Sequence, residues 1–291
     1  MSDIETLELA GVPLLLRPPQ NRDRPAPLII FWHGFGSPNA EADIAEAFPL
    51  EEIQAWKAYL GLPLFGKRSP GLEELMRRQL QDYVLQLLLP VIEPAVQELP
   101  KVVEALQRHC NVDADAGIGI FGFSAGGLAA LLALTESNIP IQAAVFAGVT
   151  KDLASAVDTY ERFMQNSYAM LKEQYPWLQP TYSWAEESQK AKTRLDFVNR
   201  AKEIVKGNPP PAILFVHGVQ DEAFDVDDVE TLYEALKVYY QANYPERLSI
   251  RLFEHLKHAI DLAANTSPEQ REDIIEMEKA VAEWFGRYLS L

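Results

Sequence analysis

A serine stands at the centre of Gly122-Phe123-Ser124-Ala125-Gly126, with an apolar run before it and the apolar stretch "GLAALLAL" after it. The pattern is G-x-S-x-G. Between a strand and a helix, this pattern reverses the chain sharply at the serine and raises the hydroxyl above the sheet. Side chains two residues to either side would collide with the neighbouring strand and helix, and glycine removes the Cβ that would do so. The chemistry would be nucleophilic acyl transfer. A serine hydroxyl needs a base to take its proton, and the base needs an orienting acid. The chain has five histidines. His33 and His217 each precede a glycine at the end of an apolar run, where a histidine packs or hydrogen-bonds in the loop. His109 lies at a helix end far upstream of the serine. His255 and His258 remain, both just after the last strand. Asp221 follows "ILFVHGVQ" at the tip of a short loop and is the leading acid, with Asp225 as an alternative. Asp227 and Asp228 are expected to cap or charge the next helix. Glu222 is expected to point away if Asp221 points in.

These residues need a scaffold. The start, "TLELAGVPLLLRPP", reads as a hairpin over 6–9 and 13–17, turning near Gly11. Buried strands follow at 28–32, 118–123, 141–148 and 212–218, with another at 248–255 and a weakly patterned one at 57–62. Residues 72–110 read as helix interrupted near Pro90, Pro94 and Pro100. Further helices are expected after Ser124, at about 227–243, and after Ser267-Pro268, where a serine precedes a proline at the first helical position. Continuous apolar strands alternating with helices indicate an α/β fold with a mostly parallel sheet covered on both faces. Ligands of such sheets gather at the carboxyl ends of the strands. The aromatic-rich segment at about 150–205 departs from the alternation. A segment of that length is expected to be structured, as a lid over a pocket or as an element docked on the core.

Composition limits the partners. Lysine and arginine number 26 against 42 aspartate and glutamate, for a net charge of −16 over 291 residues. Such a surface repels nucleic acid and anionic lipid. No run approaches the roughly 18 apolar residues of a membrane span; the richest, 84–96, is broken by Gln86, Pro90, Glu93 and Pro94. The acidic N-terminus lacks the layout of a secretory signal, so a cytoplasmic location is expected. The lone Cys110 can form neither an internal disulfide nor a thiolate cluster. No spacing suggests a metal site, and no cofactor is expected.

The HGFG, GFSAGG, HGVQDE and HLKHAI stations together resemble the α/β-hydrolase superfamily. "VDADAGIGIFGFSAGG" resembles its dienelactone hydrolase and prolyl-oligopeptidase-type branch. The resemblance implies an α/β-hydrolase fold, here a single domain over 1–291 with a helical, lid-like insertion at about 150–205. It implies the order Ser124, Asp221, His258 for nucleophile, acid and base. His258 matches the base because Ala259 and Ile260 follow it, although the family usually places a glycine beside that histidine. The oxyanion would meet the backbone N–H groups of Ala125 and of Phe35 in the HGFG loop. The implied activity is a carboxylesterase-like cleavage of a small to medium ester through an acyl-enzyme, without cofactor. A peptidase or acyl-peptide hydrolase is the nearest alternative, though those usually carry a propeller domain as well. A non-catalytic ligand-binding protein is the alternative of another class, disfavoured by an intact triad. Substrate-binding residues are not assigned.

Overall fold

The computed structural model describes residues 4–113, 115–260 and 266–289. Strands β1 (Glu5–Leu9) and β2 (Val12–Arg17) form the N-terminal hairpin. Its turn places Ala10 and Gly11 at positive φ, 54° and 81°, as a two-residue turn between right-twisted strands demands. Then come β3 (Leu28–Trp32), α1 (Glu41–Ala47) and β4 (Trp56–Leu60), followed by α2 (Leu72–Gln81) and α3 (Leu89–His109). β5 (Ile118–Phe123) runs into α4 (Ala125–Glu136), and β6 (Ile141–Ala147) into the inserted helices α5 (Leu153–Gln174), α6 (Glu186–Arg194) and α7 (Ala201–Ile204). The chain closes with β7 (Ala212–Gly218), α8 (Val226–Tyr240), β8 (Leu248–Phe253) and α9 (Pro268–Tyr288).

The sheet has eight strands in the order β1-β2-β4-β3-β5-β6-β7-β8. β1 and β2 are antiparallel, as are β2 and β4; every later pair is parallel. Every residue of β3, β4, β5 and β7 is buried, which is why these strands read as unbroken apolar runs rather than alternating ones. One face packs on α3, α4 and α8, through residues such as Val91, Leu131 and Leu232. The other packs on α1 and α9, through Ile44, Met277 and Phe285. The register sets Trp32 beside Gly122, Phe123 beside Ala147 and Gly218 beside Phe253. The ends of β3, β5, β6, β7 and β8 therefore form one rim, and Ser124, Asp221 and His258 each lie in the chain just beyond it. Among the described residues, no helix is long and apolar enough to cross a membrane.

The proline reading is corrected. Pro94 and Pro100 lie inside one continuous helix, α3. A proline costs about 3 kcal/mol in a helix interior. The same helix buries Val91, Ile92, Ala95, Val96, Leu99, Val102, Val103 and Leu106, and each large aliphatic side chain returns about 1.5–3 kcal/mol. The break falls instead at Asp82, extended at φ −163°, whose carboxylate accepts the Leu85 N–H at 2.9 Å and starts a π-helical stretch, Tyr83–Leu88. The strand expected at 57–62 begins one residue earlier and ends at Leu60, and the last strand ends at Phe253, two residues short of the expected 255. Ser267 caps α9 as expected, accepting the Gln270 N–H at 3.2 Å. The insertion has a small core of its own: Tyr160, Met164, Leu171 and Leu178 pack with Leu80 of α2.

Candidate active site

Ser124 links β5 to α4 in a conformation few side chains adopt, φ 53° and ψ −118°. Such a residue stores about 1–3 kcal/mol and persists only when its surroundings over-determine it. The surroundings do so here. The Ser124 N–H donates to Ala147 O at 3.0 Å. A Cβ on Gly122 would lie 2.4 Å from Gly126 O, and one on Gly126 would lie 2.3 Å from His33 O. Glycine is thus required on both sides because the backbone packs on itself and on the end of β3. Gly34 closes the third side: a Cβ there would lie 2.9 Å from Ser124 Cβ.

The structure brings Asp221, His258 and Ser124 into one line. His258 Nδ1 lies 2.8 Å from Asp221 Oδ2, and His258 Nε2 lies 3.0 Å from Ser124 Oγ. A carboxylate only accepts, so Nδ1 carries the proton and Nε2 presents its lone pair to the serine hydroxyl. Asp221 Oδ1 is occupied separately, accepting the Ala223 and Phe224 N–H groups at 2.8 and 2.9 Å. Burial alone would raise the Asp221 pKa. The hydrogen bond and charge of His258, the nearby His217 and the Phe224 N–H outweigh it and hold the carboxyl below its ordinary range. Phe123 and Phe224 flank the His258 ring, at 5.2 and 5.3 Å between centroids. Gly148, at φ 53°, brings backbone close to the same ring, where a Cβ would touch it at 3.5 Å.

The HGFG loop is held by its own histidine. His33 is fully buried. Its Nδ1–H donates to Gly34 O at 2.9 Å, and its Nε2 accepts the Leu62 N–H at 3.1 Å. Burial lowers its pKa to about 4, against weaker opposing contributions from Gly34 O and Asp43, so it stays neutral. A trans peptide points its N–H opposite its C=O. His33, by taking the Gly34 carbonyl, therefore turns the Phe35 N–H the other way. Among the described residues, no protein acceptor takes the Phe35 or Ala125 N–H. The Phe35 ring stacks on Phe65, 4.7 Å between centroids and 6° between planes.

The other candidates lie elsewhere. The His255 side chain is 48% exposed, and its ring is 3.9 Å from Asp273. His109 sits 3.7 Å from Glu5. Asp225 is a surface group 3.6 Å from Arg162. Asp227 and Asp228 charge the first turn of α8 as expected, and neither caps it; Asp228 is buried and accepts from Thr150 Oγ1 at 2.6 Å and from Lys151 Nζ.

The profile of the prolyl oligopeptidase family matches residues 94–291. The chain belongs to the prolyl oligopeptidase family. It is 28% identical to the Bacillus subtilis (strain 168) protein named "Putative esterase YitV", over 99% of this chain and 100% of that one. Its fold is similar to that of TT1662 from Thermus thermophilus, with a TM-score of 0.65 at 18% identity, covering 98% of this chain and 99% of that one. It is also similar to a Mycobacterium tuberculosis puromycin-hydrolysing peptidase, at TM-score 0.64 and 16% identity over 99% of this chain and 40% of that one. The Pyrococcus furiosus esterase Pf2001 matches at TM-score 0.61 and 15% identity, over 99% and 92%. The fold is the α/β-hydrolase fold, and this family member is a serine hydrolase of the esterase or peptidase type.

One group at the site departs from expectation, and two others take the packing role expected of them. Glu222 does not turn away; its Oε2 accepts the His258 N–H at 3.3 Å. His217 donates from Nε2 to Phe224 O at 3.1 Å, lies 3.7 Å from Asp221 Oδ2, and its buried Nδ1 has no partner among the described residues. Burial keeps its pKa below the usual value. Both His33 and His217 hydrogen-bond in their loops as expected; the His-Gly spacing does not say which carbonyl each ring holds.

Proposed function

We propose that the chain is a carboxylesterase-like serine hydrolase that cleaves small to medium carboxylic esters through an acyl-enzyme. The observation that carries this reading is the unbroken line Asp221–His258–Ser124, at 2.8 and 3.0 Å, meeting at a serine in a strained turn beside a glycine loop. Ser124 Oγ forms a bond to the acyl carbon while its proton passes to His258 Nε2. The carbonyl π pair moves to oxygen, and the Phe35 and Ala125 N–H groups receive that charge. Collapse breaks the bond to the alcohol oxygen, which leaves with the proton from His258. Water then gives a proton to His258 and bonds to the acyl carbon. The second collapse releases the carboxylic acid, and the proton returns to Ser124. Asp221 keeps the imidazole in the productive tautomer and stabilises the imidazolium.

Ester rather than amide substrates are supported by the full-length match to the Bacillus protein and the 92% coverage of the Pyrococcus esterase. Cleavage of peptide bonds is the second reading, favoured by the family description and by the mycobacterial peptidase. Both use the same line of groups, and the leaving group alone separates them. The test is hydrolysis of p-nitrophenyl acetate and butyrate against aminoacyl p-nitroanilides, by wild type and Ser124→Ala, with a fluorophosphonate adduct located by peptide mass. Ester turnover lost in Ser124→Ala, with the adduct on Ser124, supports the esterase. Faster anilide turnover moves the assignment to a peptidase. An adduct elsewhere overturns both.

A further inference from the structure

The insertion leaves the sheet at the end of β6, on the rim that carries the site, and its first helix is fastened to the loop that carries the acid. Thr159 Oγ1 donates to Ala223 O at 2.5 Å, and Arg162 Nη2 donates to the same oxygen at 2.7 Å. The same Arg162 nitrogen donates to Thr159 Oγ1 at 3.1 Å. A hydroxyl has one proton and two lone pairs; Ser155 O also lies 3.3 Å from Thr159 Oγ1, but the shorter contact takes the proton, so Thr159 donates to Ala223 and accepts from Arg162. Ala223 is not a bystander: its N–H is one of the two that hold Asp221 Oδ1, at 2.8 Å. The line is therefore continuous from α5 through Ala223 to Asp221, and on through His258 to Ser124.

The base of the insertion is fixed as well. The Asp152 carboxylate caps α5, accepting the Ser155 N–H at 2.8 Å. Thr150 and Lys151, just before it, both donate to Asp228 in the first turn of α8. Phe197 N–H donates to Lys151 O at 3.2 Å where the insertion returns. The start of α5 is thus tied to both ends of the 221–228 segment.

We propose that Thr159 and Arg162 are positioning residues: the insertion is a strut that holds the Asp221 loop against His258, and catalytic turnover depends on it. The inference rests on the serine hydrolase reading above. It differs from a lid in its consequence. A lid governs substrate entry and release, whereas a strut governs the alignment of acid and base after substrate is bound. Misplacement by about 1 Å at a catalytic group costs up to about 100-fold; a loosened loop that still samples the aligned position should cost less.

The experiment compares Thr159→Val, Arg162→Ala and their combination with the conservative Thr159→Ser, in the full chain, using p-nitrophenyl butyrate. The combined variant is expected to lose about 10-fold in kcat with KM within about twofold, and Thr159→Ser to stay near wild type. Hydrogen exchange of peptides covering 219–225 is expected to quicken in the combined variant and not in Thr159→Ser. Unchanged kcat and unchanged exchange overturn the strut. A raised KM at constant kcat also overturns it, since that is the signature of a lid. Equal losses in Thr159→Ser and Thr159→Val overturn the role of the hydroxyl. Arg162 is half-exposed, so Arg162→Ala alone should fold and provides the comparison if the combined variant does not. Wild type that fails to label with fluorophosphonate at Ser124 sinks the hydrolase reading, while the exchange measurement still reads the strut.

Discussion

Replacing Asp221 with asparagine changes one oxygen to nitrogen and tests the direction of every hydrogen bond at the site. Oδ1 of Asp221 accepts from Ala223 and Phe224, at 2.8 and 2.9 Å. The asparagine carbonyl must take that place. Turned the other way, its NH2 would face two N–H donors, and each buried donor left unsatisfied costs about 1–3 kcal/mol. The amide nitrogen is therefore fixed toward His258 Nδ1, where it can only donate. His258 must then give up the Nδ1 proton and carry it on Nε2, so that Nε2–H points at Ser124 Oγ. A base with its proton already in place cannot accept another. The loss expected in kcat is about 10⁴-fold, as when a triad acid is neutralised with its geometry intact. At 1.36 kcal/mol per factor of ten, this is about 5.4 kcal/mol of barrier. Steady-state hydrolysis of p-nitrophenyl butyrate measures it, with thermal melting as the control, because the two backbone bonds to position 221 survive. A loss under tenfold with an intact fold would refute the tautomer argument and point to another carboxylate.

Three further outcomes follow from the geometry. His258→Ala should abolish ester turnover, while His255→Ala should keep most of it, because His255 lies out toward Asp273; the steady-state rates of the two variants decide it, and the reverse pattern would exchange their roles. Gly126→Ala places a Cβ 2.3 Å from His33 O and 2.6 Å from Trp32 O, both backbone. It should cost about 1–3 kcal/mol as an overpacked site, read as a lowered denaturation midpoint, and an unchanged midpoint would mean that β3 and α4 can part freely. His33 has its pKa lowered from 6.5 to about 4, so between these values the unfolded chain binds more protons than the folded one. Stability must rise with pH across that window and be lost as pH falls through it, by about 3 kcal/mol at 1.36 kcal/mol per unit. The pH slope of unfolding free energy between 6.5 and 4 should be shallower in His33→Asn; an equal slope would show that His33 does not carry the loss.

What the sequence discloses about the fold is the part set by local chemistry. Unbroken runs such as "LIIFW" and "AILFVHG" mark strands covered on both faces, and Ser267-Pro268 marks the start of α9. Misread features were those where distant burial overrules a local signal. Pro94 and Pro100 argue for breaks, but α3 buries a full stripe against β strands far away in sequence. Asp82 makes the actual break, and part of its reason is Tyr182, whose hydroxyl donates to Asp82 Oδ1 at 2.7 Å from a hundred residues on. Glu222 shows the same limit at the site. Alternation along an extended chain would turn it away from its neighbour Asp221, yet in a tight loop its carboxylate meets the His258 backbone.

The three histidines near the carboxyl ends of β3, β7 and β8 show what residue type alone cannot say. His33 and His217 are completely buried, while the His258 side chain keeps 15% of its surface open. Burial disfavours the imidazolium, and it lowers the pKa of both buried rings. Each is thereby kept as a neutral donor for one loop carbonyl: Gly34 O, which sets the Phe35 N–H, and Phe224 O, which sets the Asp221 turn. Protonating His33 would set a new Nε2–H against the Leu62 N–H, and protonating His217 would bury a charge beside β7. In the proposed reaction the moving proton therefore goes to the third ring, the one beside a carboxylate and still open to solvent. Depth separates histidines that look equivalent in the sequence: two brace loops, and the third is left as the base of the proposed reaction.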